Sequence, residues 1–142
     1  MTGVEIDMVL PDSLVALALY EQVFAVQRVE ATNYERGRNE AVFTMYGTRF
    51  HLLDENPSAQ LFAPIPGAAQ SVWCNVVVPD IQVTCQKALE AGCVALQPVT
   101  EIADMGVSIA MFADPFGYLW MLHQIHRVVS FEERCRYMEQ MQ

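Results

Sequence analysis

The chain has 142 residues, enough for one domain or for two small modules, and 53% of them are hydrophobic, so it can bury a core. Its 17 acidic and 8 basic residues give a net charge of −9, which argues against a protein that binds nucleic-acid phosphates or an anionic membrane surface. No apolar run is long enough to span a membrane, and Glu5 and Asp7 stand where a signal peptide would be basic or apolar. We therefore expect a cytoplasmic protein.

An internal repeat organises the chain. Met8–Asp12 and Val76–Asp80 share one pattern, an apolar run followed by Pro and Asp, at an offset of 68 residues. In both copies the Asp is a good N-cap for a helix, because its carboxylate can accept the free N–H groups of the first turn. Helix-spaced apolar residues follow: Leu17, Tyr20 and Phe24 in the first copy, and Ile81, Cys85, Ala88 and Leu89 in the second, which Gly92 should end.

Strand-like sequence follows each predicted helix. The first copy offers three strands, at Val26–Tyr34, Ala41–Tyr46 and Arg49–Asp54. The second copy offers Cys93–Leu96, Val107–Phe112 and Tyr118–His123, the last two joined by an Asp114-Pro115-Phe116-Gly117 turn. Each copy therefore predicts a strand, a helix and three further strands, in module one (residues 3–54) and module two (residues 71–126).

Two more segments complete the predicted layout. Residues 55–70 contain three prolines and form a linker, and Ser130 with Glu133 makes a capping box that starts a C-terminal helix over residues 130–140. A module of this size is not expected to be stable alone, so we predict a single α+β domain over residues 1–142. The four cysteines contain no C-x-x-C pair and are expected to be reduced, packed thiols.

These features together resemble the vicinal-oxygen-chelate superfamily, which includes glyoxalase I, extradiol dioxygenases and the fosfomycin- and bleomycin-resistance proteins. Within it, the segment Phe112–Trp120 and the tail Val129–Glu133 look most like the PhnB-like branch. The resemblance covers nearly the whole chain. It implies two tandem βαβββ modules whose curved mixed sheets surround a cavity, followed by a C-terminal helix, and it implies a homodimer.

The resemblance also implies where a ligand would bind. In metal-dependent members, four inward His or Glu side chains from the first and last strand of each module meet in the cavity. The corresponding positions here are Glu5, His51, Cys74 and Met121. Two of the four are not ordinary ligands for a hard divalent ion, and thioether sulfur suits copper instead, so no metal cofactor is predicted. Trp73 and Trp120 have the opposite strand parity and are expected in the core.

Two functions remain as alternatives. The first is a small-molecule-binding protein without the usual metal centre, which would hold an apolar or cationic ligand, as bleomycin-resistance proteins do. Glu5 and Asp7 share a strand face and could bind a cation or act as acid and base, although both could equally be solvated. The second is a metal-dependent lyase or isomerase with a site of Glu5, His51 and Cys74. The alternative for His51 is a hydrogen-bonded core residue, and His123 is expected to meet solvent.

Overall fold

The computed structural model describes residues 2–141. In this range the chain divides into two compact units. Unit 1 consists of the chain up to Ala69 together with Pro115–Tyr118, and unit 2 consists of Gln70–Asp114 and the chain from Leu119 onward. Among the described residues, no helix is long and apolar enough to cross a membrane.

Unit 1 packs one helix on a four-stranded mixed sheet. Its elements in chain order are β1 (Glu5–Leu10), α1 (Ser13–Val23), β2 (Val26–Ala31), β3 (Glu40–Met45) and β4 (Thr48–Asp54). The strand order is β1-β4-β3-β2, with β1 parallel to β4 and the other pairs antiparallel. The predicted βαβββ order is confirmed, but the strand predicted to reach Tyr34 ends at Ala31.

Helix α1 begins where the Pro-Asp pattern predicted. Asp12 Oδ1 accepts hydrogen bonds from the N–H groups of Leu14 and Val15, both at 3.1 Å, so Asp12 is the N-cap. The apolar side of α1 packs on one face of the sheet, where the Tyr20 and Phe43 rings lie 6.1 Å apart and Phe50 stacks on Phe43. Because strand side chains alternate, the neighbouring residues of β1, β3 and β4 point to the opposite face, called here the helix-distal face.

Asp54, at the end of β4, ties three segments of unit 1 together. Its side chain is 3% exposed, and Oδ1 accepts the N–H of Ser13 at 2.7 Å. Oδ2 accepts the N–H groups of Gly37 at 2.8 Å and Asn39 at 2.9 Å. Burial alone would raise the pKa of Asp54, but the backbone N–H bonds outweigh it and hold the pKa below its usual value. The carboxylate therefore joins β4, the start of α1 and the loop before β3.

Unit 2 has the same arrangement of elements. They are β5 (Cys74–Val77), α2 (Ile81–Glu90), β6 (Val94–Ile102), β7 (Val107–Ala113) and β8 (Leu119–Ile125), and the strand order is β5-β8-β7-β6. β6 is far longer than the predicted Cys93–Leu96 strand. Its pairing with β7 shifts register on both sides of Gln97, next to Pro98, which has no N–H to donate to a sheet.

The predicted helix boundaries in unit 2 are confirmed. Asp80 accepts the N–H of Val83 at 3.1 Å, and Gly92 follows α2 with a φ of 100°, a conformation that favours glycine. The C-terminal helix α3 (Phe131–Gln140) is capped by Ser130 Oγ, which accepts the N–H of Glu133 at 3.1 Å. All four cysteines are free thiols, as expected.

The two tryptophans behave differently from each other. Trp120 is 1% exposed and donates its Nε1–H to Asp114 Oδ2 at 2.9 Å, so its predicted place in the core is confirmed. Trp73 is 45% exposed, and the prediction that it belongs to the core is wrong. Because β5 begins only at Cys74, Trp73 precedes the strand, and strand parity does not determine where it points.

Candidate functional site

Polar side chains gather on the helix-distal face of unit 1. β1 and β4 are parallel neighbours in a register that pairs Glu5 with Arg49 and Asp7 with His51. Paired residues on neighbouring strands point to the same face, so all four side chains project from the same side of the sheet. Glu40 of β3 pairs with Leu53, two residues after His51, and therefore joins the same face. The five residues Glu5, Asp7, Glu40, Arg49 and His51 are called here the acidic cluster.

His51 lies at the centre of the acidic cluster. Its Nδ1 is 3.2 Å from a Glu5 carboxylate oxygen and 3.8 Å from one of Asp7. Since a carboxylate can only accept, Nδ1 carries the hydrogen in its bond to Glu5. The opposite nitrogen, Nε2, is buried without a hydrogen-bond partner and lies 3.6 Å from a Glu40 oxygen. His51 is therefore hydrogen-bonded through one ring nitrogen, and the other nitrogen faces Glu40.

The charges of the acidic cluster do not cancel. Arg49 pairs with Glu5, with its Nε 2.5 Å from Oε2. Among the described residues, no Lys or Arg side chain pairs with Asp7 or Glu40, whose basic neighbour is the His51 ring. Three carboxylates against one guanidinium leave a charge of −2 when His51 is neutral. The side chain of Asp7 is 56% exposed and that of Glu40 51%, so a ligand can reach both.

The pKa values of the two carboxyl groups of β1, Glu5 and Asp7, are shifted in opposite directions. The hydrogen bond from Arg49 holds the pKa of Glu5 below its usual value, and the neighbouring His51 acts in the same direction. Partial burial raises the pKa of Asp7, and a side-chain hydrogen bond shared with Glu5 raises it further. The pKa values of the two neighbouring carboxyl groups are therefore shifted towards each other from their usual values.

The donor types of the acidic cluster fit a divalent ion in part. Glu5, Asp7 and His51 each offer one ligand atom, and these atoms lie within 4.8 Å of one another. Two carboxylates and an imidazole are ligands that manganese and zinc accept. However, the guanidinium of Arg49 is bonded to Oε2 of Glu5, and it would stand as a second positive charge beside any bound metal.

The other two predicted site residues lie in unit 2 and do not come together. β5 and β8 are parallel in a register that pairs Cys74 with Trp120 and Asn75 with Met121. Cys74 therefore shares the face of the buried Trp120, whereas Met121 lies on the opposite face. Burial raises the pKa of the Cys74 thiol, which favours the inert protonated form. Of the predicted set Glu5, His51 and Cys74, the first two lie together in unit 1 beside Asp7, and Cys74 lies in unit 2.

Several residues of these faces were missed from the sequence. Arg49 could have been found, because it stands two residues before His51 in the same predicted strand. Glu40 comes from another strand, and its place depends on a register that periodicity does not supply. In unit 2, His123, which was expected to meet solvent, is partly exposed, and its Nδ1 lies 2.7 Å from Asn75 Oδ1 on the face of Met121.

Comparison with known proteins identifies the family. The model of the Glyoxalase/Bleomycin resistance protein/Dioxygenase superfamily matches residues 5–122. The chain therefore belongs to this superfamily, and the resemblance to the vicinal-oxygen-chelate proteins is confirmed at that level. No curated protein matches the sequence significantly.

Solved structures show the same fold at low sequence identity. A variant of the fosfomycin resistance protein FosX from Listeria monocytogenes, complexed with Mn(II) and a dihydroxypropylphosphonic acid, has 14% identity and a TM-score of 0.68, with 96% of this chain and 98% of that chain covered. A family enzyme from Burkholderia phytofirmans has 16% identity and a TM-score of 0.67, with coverage of 85% and 96%. TioX from Micromonospora sp. ML1 has 16% identity and a TM-score of 0.62, with coverage of 89% and 100%.

Proposed function

We propose that this chain is a small-molecule-binding protein of the superfamily that holds an organic cation on the acidic cluster. The observation that carries the proposal is the excess of three carboxylates over one guanidinium around His51, on a face that α1 does not cover. The carboxylate of Asp7 has no guanidinium partner among the described residues and is 56% exposed. An amidinium or guanidinium ligand can make two parallel hydrogen bonds to such a carboxylate.

The finer family placement belongs to the same proposal. We assign the chain to the PhnB-like branch on the Phe112–Trp120 segment and the Val129–Glu133 tail, and we propose a cytoplasmic homodimer. A molecular mass in solution tests the dimer, since a monomer of 16.0 kDa would contradict it.

A metal-dependent lyase or isomerase is the second candidate. It is supported by the three ligand atoms of Glu5, Asp7 and His51 that lie within 4.8 Å of one another. A bound divalent ion would supply a Lewis acid that polarises an oxygenated substrate. In this function Glu5 would bind the metal through Oε1, because its Oε2 is bonded to Arg49, whereas an organic cation can bind Asp7 without involving Glu5.

Thermal unfolding with four additives separates the two candidates. The probes are benzamidine, its neutral relative benzamide, manganese chloride and zinc chloride. A ligand that binds only the folded state raises the melting temperature. We expect benzamidine to raise it and benzamide to leave it unchanged. Stabilisation by manganese or zinc alone, with stoichiometric metal in the purified protein that is lost in His51→Ala, would replace the organic-cation proposal with the metal centre.

A further inference from the structure

A polar cleft lies in unit 2 between the C-terminal helix α3 and the short 3-10 helix Ala103–Met105. Its volume is about 270 Å³. The residues that line it are Asp104, Arg127, Glu133, Arg136, Tyr137 and Gln140. Each of these side chains carries a polar group, so a small molecule in the cleft meets hydrogen-bonding groups from both helices.

Helix α3 turns a polar side towards this cleft. Its four lining residues, from Glu133 to Gln140, are spaced by three or four positions and therefore share one side of the helix. Apolar side chains of α3 face solvent instead: Phe131 is 72% exposed and Met138 is 59% exposed. No residue of α3 is buried. A surface helix ordinarily packs an apolar stripe on its domain, so the polar side of α3 needs another explanation.

One ion pair connects the two walls of the cleft. Nη2 of Arg127 donates to the backbone carbonyl oxygens of Ala103 at 3.2 Å and Asp104 at 3.5 Å. Nη1 of the same guanidinium lies 3.5 Å from a carboxylate oxygen of Glu133. The charges of Arg127 and Glu133 therefore compensate each other within the protein.

The other two charges of the lining have no such compensation. Among residues 2–141, no carboxylate pairs with the guanidinium of Arg136, and no basic side chain pairs with the carboxylate of Asp104. The cleft therefore presents one free positive and one free negative group, while the formal charges of its lining sum to zero.

We propose that this cleft binds a small zwitterion, an amino acid whose carboxylate is bound by Arg136 and whose ammonium group is bound by Asp104. A guanidinium can bind a carboxylate through two parallel hydrogen bonds, and an ammonium group has three donors for a carboxylate. A simple anion would meet the carboxylates of Asp104 and Glu133, and a simple cation would meet two guanidinium groups. A ligand with both charges matches the lining. The inference does not rest on cation binding by the acidic cluster, which lies in unit 1.

Ligand titrations followed by protein NMR test the proposal. The probes are glycine, 4-aminobutanoic acid and 6-aminohexanoic acid, which differ in the distance between their two charges. The tightest binder of the three is then compared with its analogue that lacks the amino group and its analogue that lacks the carboxyl group. An exposed ion pair contributes up to about five-fold in affinity, so we expect the zwitterion to bind about five-fold more tightly than either analogue.

Two variants assign the two charges separately. Arg136→Gln should reduce the affinity for the zwitterion to that of the amine analogue, and Asp104→Asn should reduce it to that of the acid analogue. Arg134→Gln is the matched control on the same helix, because the guanidinium of Arg134 lies over the Phe131 ring and not in the cleft. This control should preserve the preference for the zwitterion.

The outcome is separable from that of the proposed function. Asp7→Asn, which tests the acidic cluster, should leave binding of the zwitterion unchanged. Failure of all three zwitterions to bind, equal affinity for the zwitterion and either analogue, or a preference that survives Arg136→Gln or Asp104→Asn would overturn the proposal.

Discussion

Replacing Asp54 with asparagine tests whether its buried carboxylate stabilises unit 1. In Asp54→Asn one amide oxygen remains and can still accept the N–H of Ser13. The amide NH₂ replaces Oδ2, so the N–H groups of Gly37 and Asn39 face a donor instead of an acceptor. Hydrogen bonds to a buried charged group contribute about 1.5 to 3 kcal/mol each, and we expect a loss of about 3 kcal/mol at neutral pH.

The assay is urea unfolding of the wild-type protein and the variant over a range of pH. The folded pKa of Asp54 is lowered, so its contribution is complete above its unfolded pKa of about 3.9 and is lost as pH falls through the folded value. The difference in unfolding free energy should therefore shrink below pH of about 4. Asp12→Asn is the control, because Asn and Asp are equally good N-caps, and it should change stability by less than about 0.5 kcal/mol.

Two results would refute this reasoning. A loss below about 1 kcal/mol at neutral pH would mean that the N–H groups of Gly37 and Asn39 find other acceptors. A difference between wild type and Asp54→Asn that stays constant into the acid range would mean that the charge on Asp54 does not stabilise the fold.

Three further predictions concern other parts of the chain. Trp120→Phe removes the N–H donor to the buried Asp114 carboxylate and should lower the free energy of unfolding in urea by about 2 kcal/mol. Trp73→Phe, at an exposed position, should lower it by less than about 0.5 kcal/mol, and equal effects of the two substitutions would contradict the placement of Trp120. Burial and the charge of Asp114 raise the pKa of Cys93 to about 12, so native protein at mildly alkaline pH should resist alkylation there by iodoacetamide; mass spectrometry showing rapid labelling of Cys93 would contradict it. The affinity for benzamidine should rise with pH through a range above the usual Asp7 pKa, because the cation binds the ionised carboxylate; calorimetric titrations that show no change across this range would count against Asp7 as the binding group.

The fold was largely predictable because its signals are local. The Pro-Asp pattern occurs twice at an offset of 68 residues, and each copy gives a capped helix. Strand ends were less accurate, since the end of a strand depends on its pairing partner. β6 shows this best: its predicted end was Leu96, but the strand continues past Pro98 through shifts in register with β7.

The candidate site was predictable only where its residues share one strand or occupy positions that the family resemblance supplies. Glu5 and Asp7 share a face through simple alternation, and His51 was placed by family position. Cys74 and Met121 were misjudged as a pair because a difference of one residue in register moves a side chain to the other face. The Asn75–His123 hydrogen bond joins two strands, and its residues are 48 positions apart in sequence. Hydrophobic periodicity within one strand cannot predict such a contact.

The most direct test of cation binding is a calorimetric comparison of benzamidine with benzamide. The wild-type protein should bind benzamidine about ten-fold more tightly, with a preference that weakens as salt is added. Asp7→Asn should abolish the preference, and Glu21→Gln, which removes an exposed carboxylate paired with Arg28, should leave it intact. Equal affinity of the wild-type protein for the two compounds would contradict the account.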